Sequence, residues 1–382
     1  MTISNSLVLI TGATGHVGSC TLLHVLRAGY HVRAAVRSEA KVAAVMARPE
    51  IQALNPGARL TFTIVPDITV PGAYDTTVEG VTHIIHIASP LATGNRVALS
   101  QHDKHFIQPA VRGTINLLEA ANLGGAVRRV VITSSITALI PVEQLEGSEP
   151  RKHVVSPNDR VPFVEGPYPS EFAAYAASKV AALREAEAWM ERERPAFDVV
   201  HLHPGFVLGR NDAATSPSEA LQGTNAVVLA MLLGKRFGPY PGATVHAEDV
   251  ARAHVSSLDP TAVLGNQSYI LSQAARWNDA RDIVKRVFPE ALKSKMLLAG
   301  GSVGTIDIPI DNSLTIDTFG FQFASYAEQV KSLVSQFLEL ARRREVKASN
   351  TNQTPPNARS TVARSNSAAK QELVVNVTEI AC

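Results

Sequence analysis

Cysteine is almost missing from this chain. Its 382 residues hold two, Cys20 and Cys382, which excludes a disulfide framework and any multi-cysteine metal site. Cys20 falls inside the first helical pattern and reads as a small buried hydrophobe. Long apolar runs are also missing. No stretch approaches the ~18 residues of a membrane span, no basic leader precedes Leu7, and Leu7–Ile10 is too short for a signal core. No membrane association is expected, and the cytoplasm is the expected setting. An excess of one charge is missing too: 36 basic residues face 34 acidic ones, so nothing calls for nucleic acid as a partner. A metal site lacks material. His83 and His86 stand at i, i+3 on opposite faces of a strand, and His201 and His203 share a face without the further ligands a site needs. Trp189 and Trp277, the only two tryptophans, read as packing residues. No internal repeat is found.

What remains is the composition of a globular protein with a sizeable core, 45% hydrophobic and 18% charged. Strand-like runs at Ser6–Thr11, His31–Val36, Arg59–Val65, Thr82–Ala88, Val127–Thr133 and Asp198–His203 alternate with helical patterns. Those patterns cover Val17–Ala28, Glu39–Ala47, Phe106–Asn122 and Ala173–Glu193. Strands that are apolar over most of their length, separated by helical crossovers, predict an α/β fold with a doubly wound parallel sheet. After Pro204 the alternation weakens. Ser218–Gly234 reads as a helix, Arg236–Gly242 as a Gly/Pro-rich turn, Val245–Leu258 as a strand and helix, Gln267–Leu271 as a strand, and Trp277–Phe288 as a helix. Spacing from Tyr326 to Ala341 predicts a last amphipathic helix. The expected division is a first domain at 1–204, with 244–272 returning to it, and a smaller C-terminal lobe at 205–243 and 273–345. Residues 346–382, rich in Ser, Thr, Asn and Pro without periodicity, read as a disordered tail, although Leu373–Val377 could dock as a strand.

Residues 11–18 read Thr-Gly-Ala-Thr-Gly-His-Val-Gly directly after the first strand. Gly12 permits the strand-to-helix bend, Gly15 lets backbone approach a pyrophosphate, and Gly18 lets the next helix pack on the sheet. The N-terminus of that helix then offers N–H groups and a positive dipole end to phosphates. At the tip of the second strand an acid would take the ribose 2′-hydroxyl of NAD, and an arginine the 2′-phosphate of NADP. The strand ends Val36-Arg37-Ser38, with Lys41 one turn on. Two cations there suit a phosphate dianion, so NADP(H) is the expected cofactor. Asp67 after the third strand could accept from the adenine amino group or cap the turn before Pro71.

Tyr175 and Lys179 stand at i and i+4 near a helix start, hence on one face. An ammonium beside a phenol favours the phenolate and lowers its pKa. Such a tyrosine can give a proton to a carbonyl oxygen while a hydride reaches the carbon. The strand end Thr133-Ser134-Ser135 can supply a second hydroxyl donor to that oxygen.

These features together resemble the extended short-chain dehydrogenases/reductases, and within them the dihydroflavonol reductase-like branch with its fungal ketone and aldehyde reductases. The matching stretches are Thr11–Gly18, His86-Ile-Ala-Ser-Pro90, Gly113–Ala121, Thr133–Ser135, Tyr175–Lys179 and His203–Val207. The resemblance implies a Rossmann fold and an NADPH-dependent reductase of a small ketone or aldehyde, in secondary metabolism. Ser135 would polarise the carbonyl, with Ser134 as the alternative. Tyr175 would be the general acid, and Lys179 would hold the nicotinamide ribose. Cofactor contacts are expected from Gly12, Thr14, Gly15, His16, Val17, Gly18, Arg37, Lys41, Asp67, Ile68, Ala88, Ser89, Pro90, Thr133, Tyr175, Lys179, Pro204 and Val207. No metal is implied, and monomer and dimer both stay open. Flavonoid reductases carry an asparagine five residues past the serine; here Ile140 stands there, and with Ile136–Pro141 and Phe206 it points to a more apolar pocket. Asn116 matches a family asparagine that either serves the site or packs its helix. Asp249 reads as a helix cap. Two rival readings remain: an NAD-dependent nucleotide-sugar epimerase or 3β-hydroxysteroid dehydrogenase, and a non-catalytic NADP sensor.

Overall fold

The computed structural model describes residues 6–91, 97–149 and 153–351. In chain order the elements begin β1 (Leu7–Thr11), α1 (His16–Arg27), β2 (His31–Val36), α2 (Glu39–Met46), α3 (Pro49–Leu54) and β3 (Leu60–Ile64). There follow β4 (His83–His86), α4 (Gln108–Gly124), β5 (Arg129–Thr133), α5 (Val142–Leu145), α6 (Glu171–Glu193) and β6 (Asp198–Pro204). The rest of the chain adds β7 (Phe206–Leu208), α7 (Pro217–Ala220), α8 (Asn225–Leu232), β8 (Arg236–Pro241), β9 (Ala243–His246), α9 (Ala247–Ser256) and β10 (Gln267–Leu271). It closes with β11 (Gln273–Ala274), α10 (Asp279–Val287), α11 (Pro289–Lys293), β12 (Ser302–Ile306), α12 (Ser313–Phe319) and α13 (Tyr326–Thr351).

Seven strands form one parallel sheet in the order β10-β6-β5-β4-β1-β2-β3. The doubly wound parallel sheet expected from the sequence is therefore present. Side-chain alternation explains its two cores. Val8 and Ile10 of β1 face a cluster with Leu22 and Leu26 of α1 and Val250 of α9. Leu9 faces the opposite cluster, with Leu117 of α4 and Trp189 of α6. Each such leucine or isoleucine, fully out of water, contributes about 1.5–3 kcal/mol. The chain order reverses between β1 and β4, which are paired from Val8↔His83 to Thr11↔His86. That switch point opens a crevice beyond the strand ends, where open α/β sheets bind ligands.

Arg129 locks the far side of the sheet. Its guanidinium makes a two-pronged pair with Asp198 at 2.6 and 2.8 Å. It also donates to the carbonyls of Ser257 and Val263, so β5, β6 and the α9–β10 connection meet on one side chain.

Beyond β6 the chain builds a three-stranded sheet β11-β9-β7 and a two-stranded ribbon β12-β8. Here three expectations are corrected. Arg236–Gly242 is not a turn: Arg236–Pro241 is β8, paired in parallel with β12, and its two prolines are tolerated because the ribbon has free edges. Ser218–Gly234 is not one helix. It breaks around Gly223, at φ +61°, because the Asn225 side chain turns back to bond both the N–H and the carbonyl of Gly209. The last helix runs to Thr351, past the expected tail boundary at 346; the tail from 352, including Leu373–Val377, lies outside the described residues. A further core, in the lobe, joins α8, α10 and α13 around Trp277 and Phe206. Within the stretch assigned to the lobe, α12 lies on β10, with Thr315 bonded to the Ile270 carbonyl and Phe319 edge-on to Tyr269. Among the described residues no helix is long and apolar enough to cross a membrane.

Candidate active site

The glycine turn follows β1 directly. Gly12 has φ +76°, and a Cβ there would stand 2.7 Å from the Ala88 nitrogen; the turn after β1 runs tight against the turn after β4. A Cβ at Gly18 would stand 2.0 Å from the Gly12 oxygen, so α1 can start here only with glycine. Gly15 is different. Its Cβ would meet nothing closer than the Gly12 oxygen, at 3.6 Å, so no protein atom fills that side of the turn. Helix α1 begins with no side-chain cap and no acidic residue in its first turn, which leaves its first N–H groups to a ligand. An open cradle with uncapped donors and no competing carboxylate suits a pyrophosphate. Thr14, His16 and Val17 complete the turn; His16 Nε2 lies 3.1 Å from the Arg210 carbonyl, and burial pushes its pKa down to about 4.

From behind, Arg48 holds this turn. The residue is 7% exposed, and its guanidinium donates to the carbonyls of Ala13 and Thr14, at 3.1 and 3.5 Å. Nothing in the sequence pattern singles out this arginine, which sits in the N-cap position of α3.

Arg37 and Lys41 are both exposed beyond the tip of β2. Asp67, near Arg37, uses Oδ1 to accept from the N–H and hydroxyl of Thr69. Those bonds, and then Arg37, hold its carboxyl below the usual range. Asp67 therefore caps its own turn. Ile68 lies against Gly113 of α4, where a Cβ would come within 2.6 Å of its Cδ1. Asn116 donates to the carbonyls of Ile68 and Val70, a packing role that fastens this loop to α4.

The strand ends of β4 and β5 meet α6 at the centre of the crevice edge. Thr11 Oγ1 accepts from the N–H groups of Ile87 and Ala88 and donates to His86 Nδ1 at 2.8 Å, fixing the Ala88-Ser89-Pro90 loop. Lys179 Nζ donates to Ser89 Oγ at 3.0 Å and lies 5.7 Å from the centre of the Tyr175 ring. Burial pushes the Lys179 ammonium down to about 8. Helix α6 is held at its start by Ser170, which accepts from the Ala173 N–H, and by buried Glu171, which accepts from the Val97 N–H. Ser89, Thr133, Ser134, Lys179, His86 and His201 surround one cavity. Thr133 donates to His254 Nε2 at 2.6 Å, because His254 Nδ1 must give its proton to the Val250 carbonyl. Ser135 stands just beyond, with its Oγ accepting from the Thr137 N–H at 3.2 Å. That leaves its hydroxyl proton available to another oxygen.

Elsewhere the structure departs from the sequence reading. Ile136, Leu139 and Ile140 are core residues packed with Leu183, Ile270 and Ile308, not pocket walls. Phe206 is likewise buried, edge-on to Trp277 at 5.1 Å. Of the expected cofactor contacts after β6, Val207 belongs to the first core and Pro204 pairs with Leu271 at the end of β6, placements that leave that expectation as it was. His246, not Asp249, caps α9 by accepting from the Glu248 N–H. Asp249 instead accepts from the Ala324 N–H at 2.7 Å and pairs with Arg252. Among the described residues no three His, Cys, Asp or Glu side chains converge.

Against known proteins, the profile of the NAD dependent epimerase/dehydratase family matches residues 8–270. The ketoreductase CTB6 of Cercospora nicotianae is 40% identical over 355 residues, 90% of this chain and 98% of that protein. A protein of Alternaria alternata named NAD-dependent epimerase/dehydratase ALT6 is 34% identical, over 88% of this chain and 98% of its own length. Among solved structures, yeast methylglyoxal/isovaleraldehyde reductase Gre2 complexed with NADPH shares the fold with a TM-score of 0.73 at 21% identity. That match covers 88% of this chain and 99% of the yeast one.

Proposed function

The chain belongs to the NAD dependent epimerase/dehydratase family, the extended short-chain dehydrogenases/reductases, and on that footing we propose that it is an NADP(H)-dependent reductase of a ketone or aldehyde. The observation that carries this reading is the convergence of Lys179, Ser89 and Tyr175 at the switch-point crevice, beside an open phosphate cradle. NADPH, when bound, supplies the hydride. Gly12–Gly18 and the α1 N-terminus hold its pyrophosphate, Arg37 and Lys41 its 2′-phosphate, and Lys179 and Ser89 the nicotinamide ribose. Tyr175 gives its phenolic proton to the substrate's carbonyl oxygen. Lys179, still cationic at neutral pH, stabilises the phenolate that is left. Ser135 donates its hydroxyl proton in a hydrogen bond to the same oxygen and fixes its position.

The proposed substrate is a small carbonyl compound of secondary metabolism, and the proposed setting is the cytoplasm. Arg37, in place of an acid at the tip of β2, weighs against an NAD-retaining epimerase. The test is oxidation of NADPH by the purified protein across a panel of aromatic and aliphatic ketones and aldehydes, beside Tyr175→Phe. Turnover is expected for some carbonyls, with a loss of about 10²- to 10⁴-fold in the variant and unchanged NADPH binding. Tightly retained NAD with no carbonyl reduced would overturn the reading.

A further inference from the structure

A line of hydrogen bonds, all pointing the same way, ends on Ser135. Arg160 Nη2 donates to Ser268 Oγ at 3.3 Å. Accepting from Arg160 leaves the Ser268 proton free, and it donates to His203 Nε2 at 3.1 Å. His203 Nδ1 then donates to the Ser135 carbonyl at 3.2 Å. The reverse tautomer is excluded, because it would set a bare Nδ1 against a carbonyl oxygen that can only accept. The Ser135 carbonyl also accepts from the Ala138 N–H at 3.0 Å, so both its lone pairs are taken. Its hydroxyl oxygen is held by Thr137. His203 is completely buried and Ser268 nearly so, and burial keeps the imidazole neutral. At the other end Arg160 grips Glu187 with Nε at 3.0 Å from both oxygens and Nη2 at 2.6 Å from one. Glu187 lies on α6, the helix that carries Tyr175 and Lys179. The line therefore joins β6, β10 and α6 to Ser135, two residues past the end of β5.

We propose that His203 is a positioning residue. It fixes the backbone of Ser135, in the tautomer that the Ser135 carbonyl imposes and that Ser268 completes by donating to Nε2, and so holds the Ser135 hydroxyl in place. The inference rests on the reading of Ser135 as the carbonyl-orienting group.

A double-mutant cycle tests both, read as kcat per bound NADPH. Ser135→Ala is expected to lower kcat by roughly 100-fold, as for other lost oxyanion donors. His203→Leu is expected to lower it ~10-fold or more, since a misplacement of about 1 Å can cost ~100-fold. NADPH affinity should be unchanged in both. In the Ser135→Ala background, His203→Leu should cost little more, because its effect passes through a hydroxyl already gone. His203→Gln, whose amide can both donate to Ser135 and accept from Ser268, should recover most of the rate. Ser268→Ala provides the same cycle from farther out if His203→Leu fails to fold. Losses that multiply in the double variant, or wild-type kcat in His203→Leu, would overturn the positioning role while leaving Ser135 standing. Full kcat in Ser135→Ala would overturn the reading of Ser135 itself and favour Ser134.

Discussion

Lys179 and Ser89, ninety residues apart, meet at 3.0 Å, and this bond ties the loop after β4 to helix α6. Ser89 is held by a turn that Thr11 fastens to β1. Lys179 thus rests on the same backbone that bends around Gly12. The proposed cofactor grip and the proposed proton chemistry share one piece of scaffold.

A pH limb follows from the lysine. Its folded pKa, about 8, is below the ordinary 10.5, so the cationic form is lost as pH rises through about 8. The kcat/KM for reduction, which reports the free enzyme, should be level below that value and fall above it. Lys179→Arg keeps its charge throughout, so whatever activity it retains should lack this limb. The two pH profiles, taken side by side, decide the point; an identical limb in both would place the titration elsewhere.

Two glycines in one turn should fail in different ways. Gly18→Ala drives a methyl into the Gly12 carbonyl and should destabilise the fold by about 3 kcal/mol, the upper range for overpacking. Gly15→Ala meets no protein atom closer than 3.6 Å and should melt like wild type, yet bind NADPH far less tightly. Thermal melts without cofactor and NADPH titrations of both variants separate the two effects.

Cofactor choice should follow Arg37 and Lys41. A charge-assisted hydrogen bond contributes about 1.5–3 kcal/mol, so Arg37→Ser should lower kcat/KM for NADPH by at least ~10-fold. The value for NADH should barely change, and adding Lys41→Ser should widen the effect. Steady-state kinetics with the two nucleotides read it out.

Acid should unfold this protein early. Burial depresses His86 and His203 to about 3, and His201 and His254 to about 4, all below the ordinary 6.5. Between those values the unfolded chain binds protons that the folded one refuses. Stability present above pH 6.5 is therefore lost as pH falls, by up to about 1.4 kcal/mol per pH unit for each histidine. Thermal midpoints from pH 8 to 5 should be flat and then drop, with a shallower drop in His254→Asn.

Much of this was legible in the sequence because single segments carried it. His31–Val36 and Gln267–Leu271 match their strands residue for residue, since short β-rich runs bounded by polar residues leave few alternatives. The glycine turn and the Tyr175/Lys179 pair are likewise local patterns. What stayed hidden depends on distant partners. The β8 strand exists because Ser302–Ile306 comes alongside it, and its own residues look like a turn. Phe206 and Ile140 are apolar whether they line a pocket or fill a core; only Trp277 and Ile308 decide which. Arg48 and His203 act on backbone carbonyls, which every residue has, so no side-chain pattern could announce them.

The order in which the large sheet is laid down matters during synthesis. Strand β10 is its outermost member, paired with β6 from Gln267↔Val200 to Leu271↔Pro204, yet more than sixty residues are made between the two. A nascent chain on the ribosome therefore displays β6 as a bare edge until residue 271 has cleared the exit tunnel. Bare edges pair with whatever strand is near. Pausing, truncation or slow folding of the segment between 205 and 266 should thus expose the emerging protein to chaperone capture or aggregation, the more so because that segment also supplies α9, which covers β1 and α1.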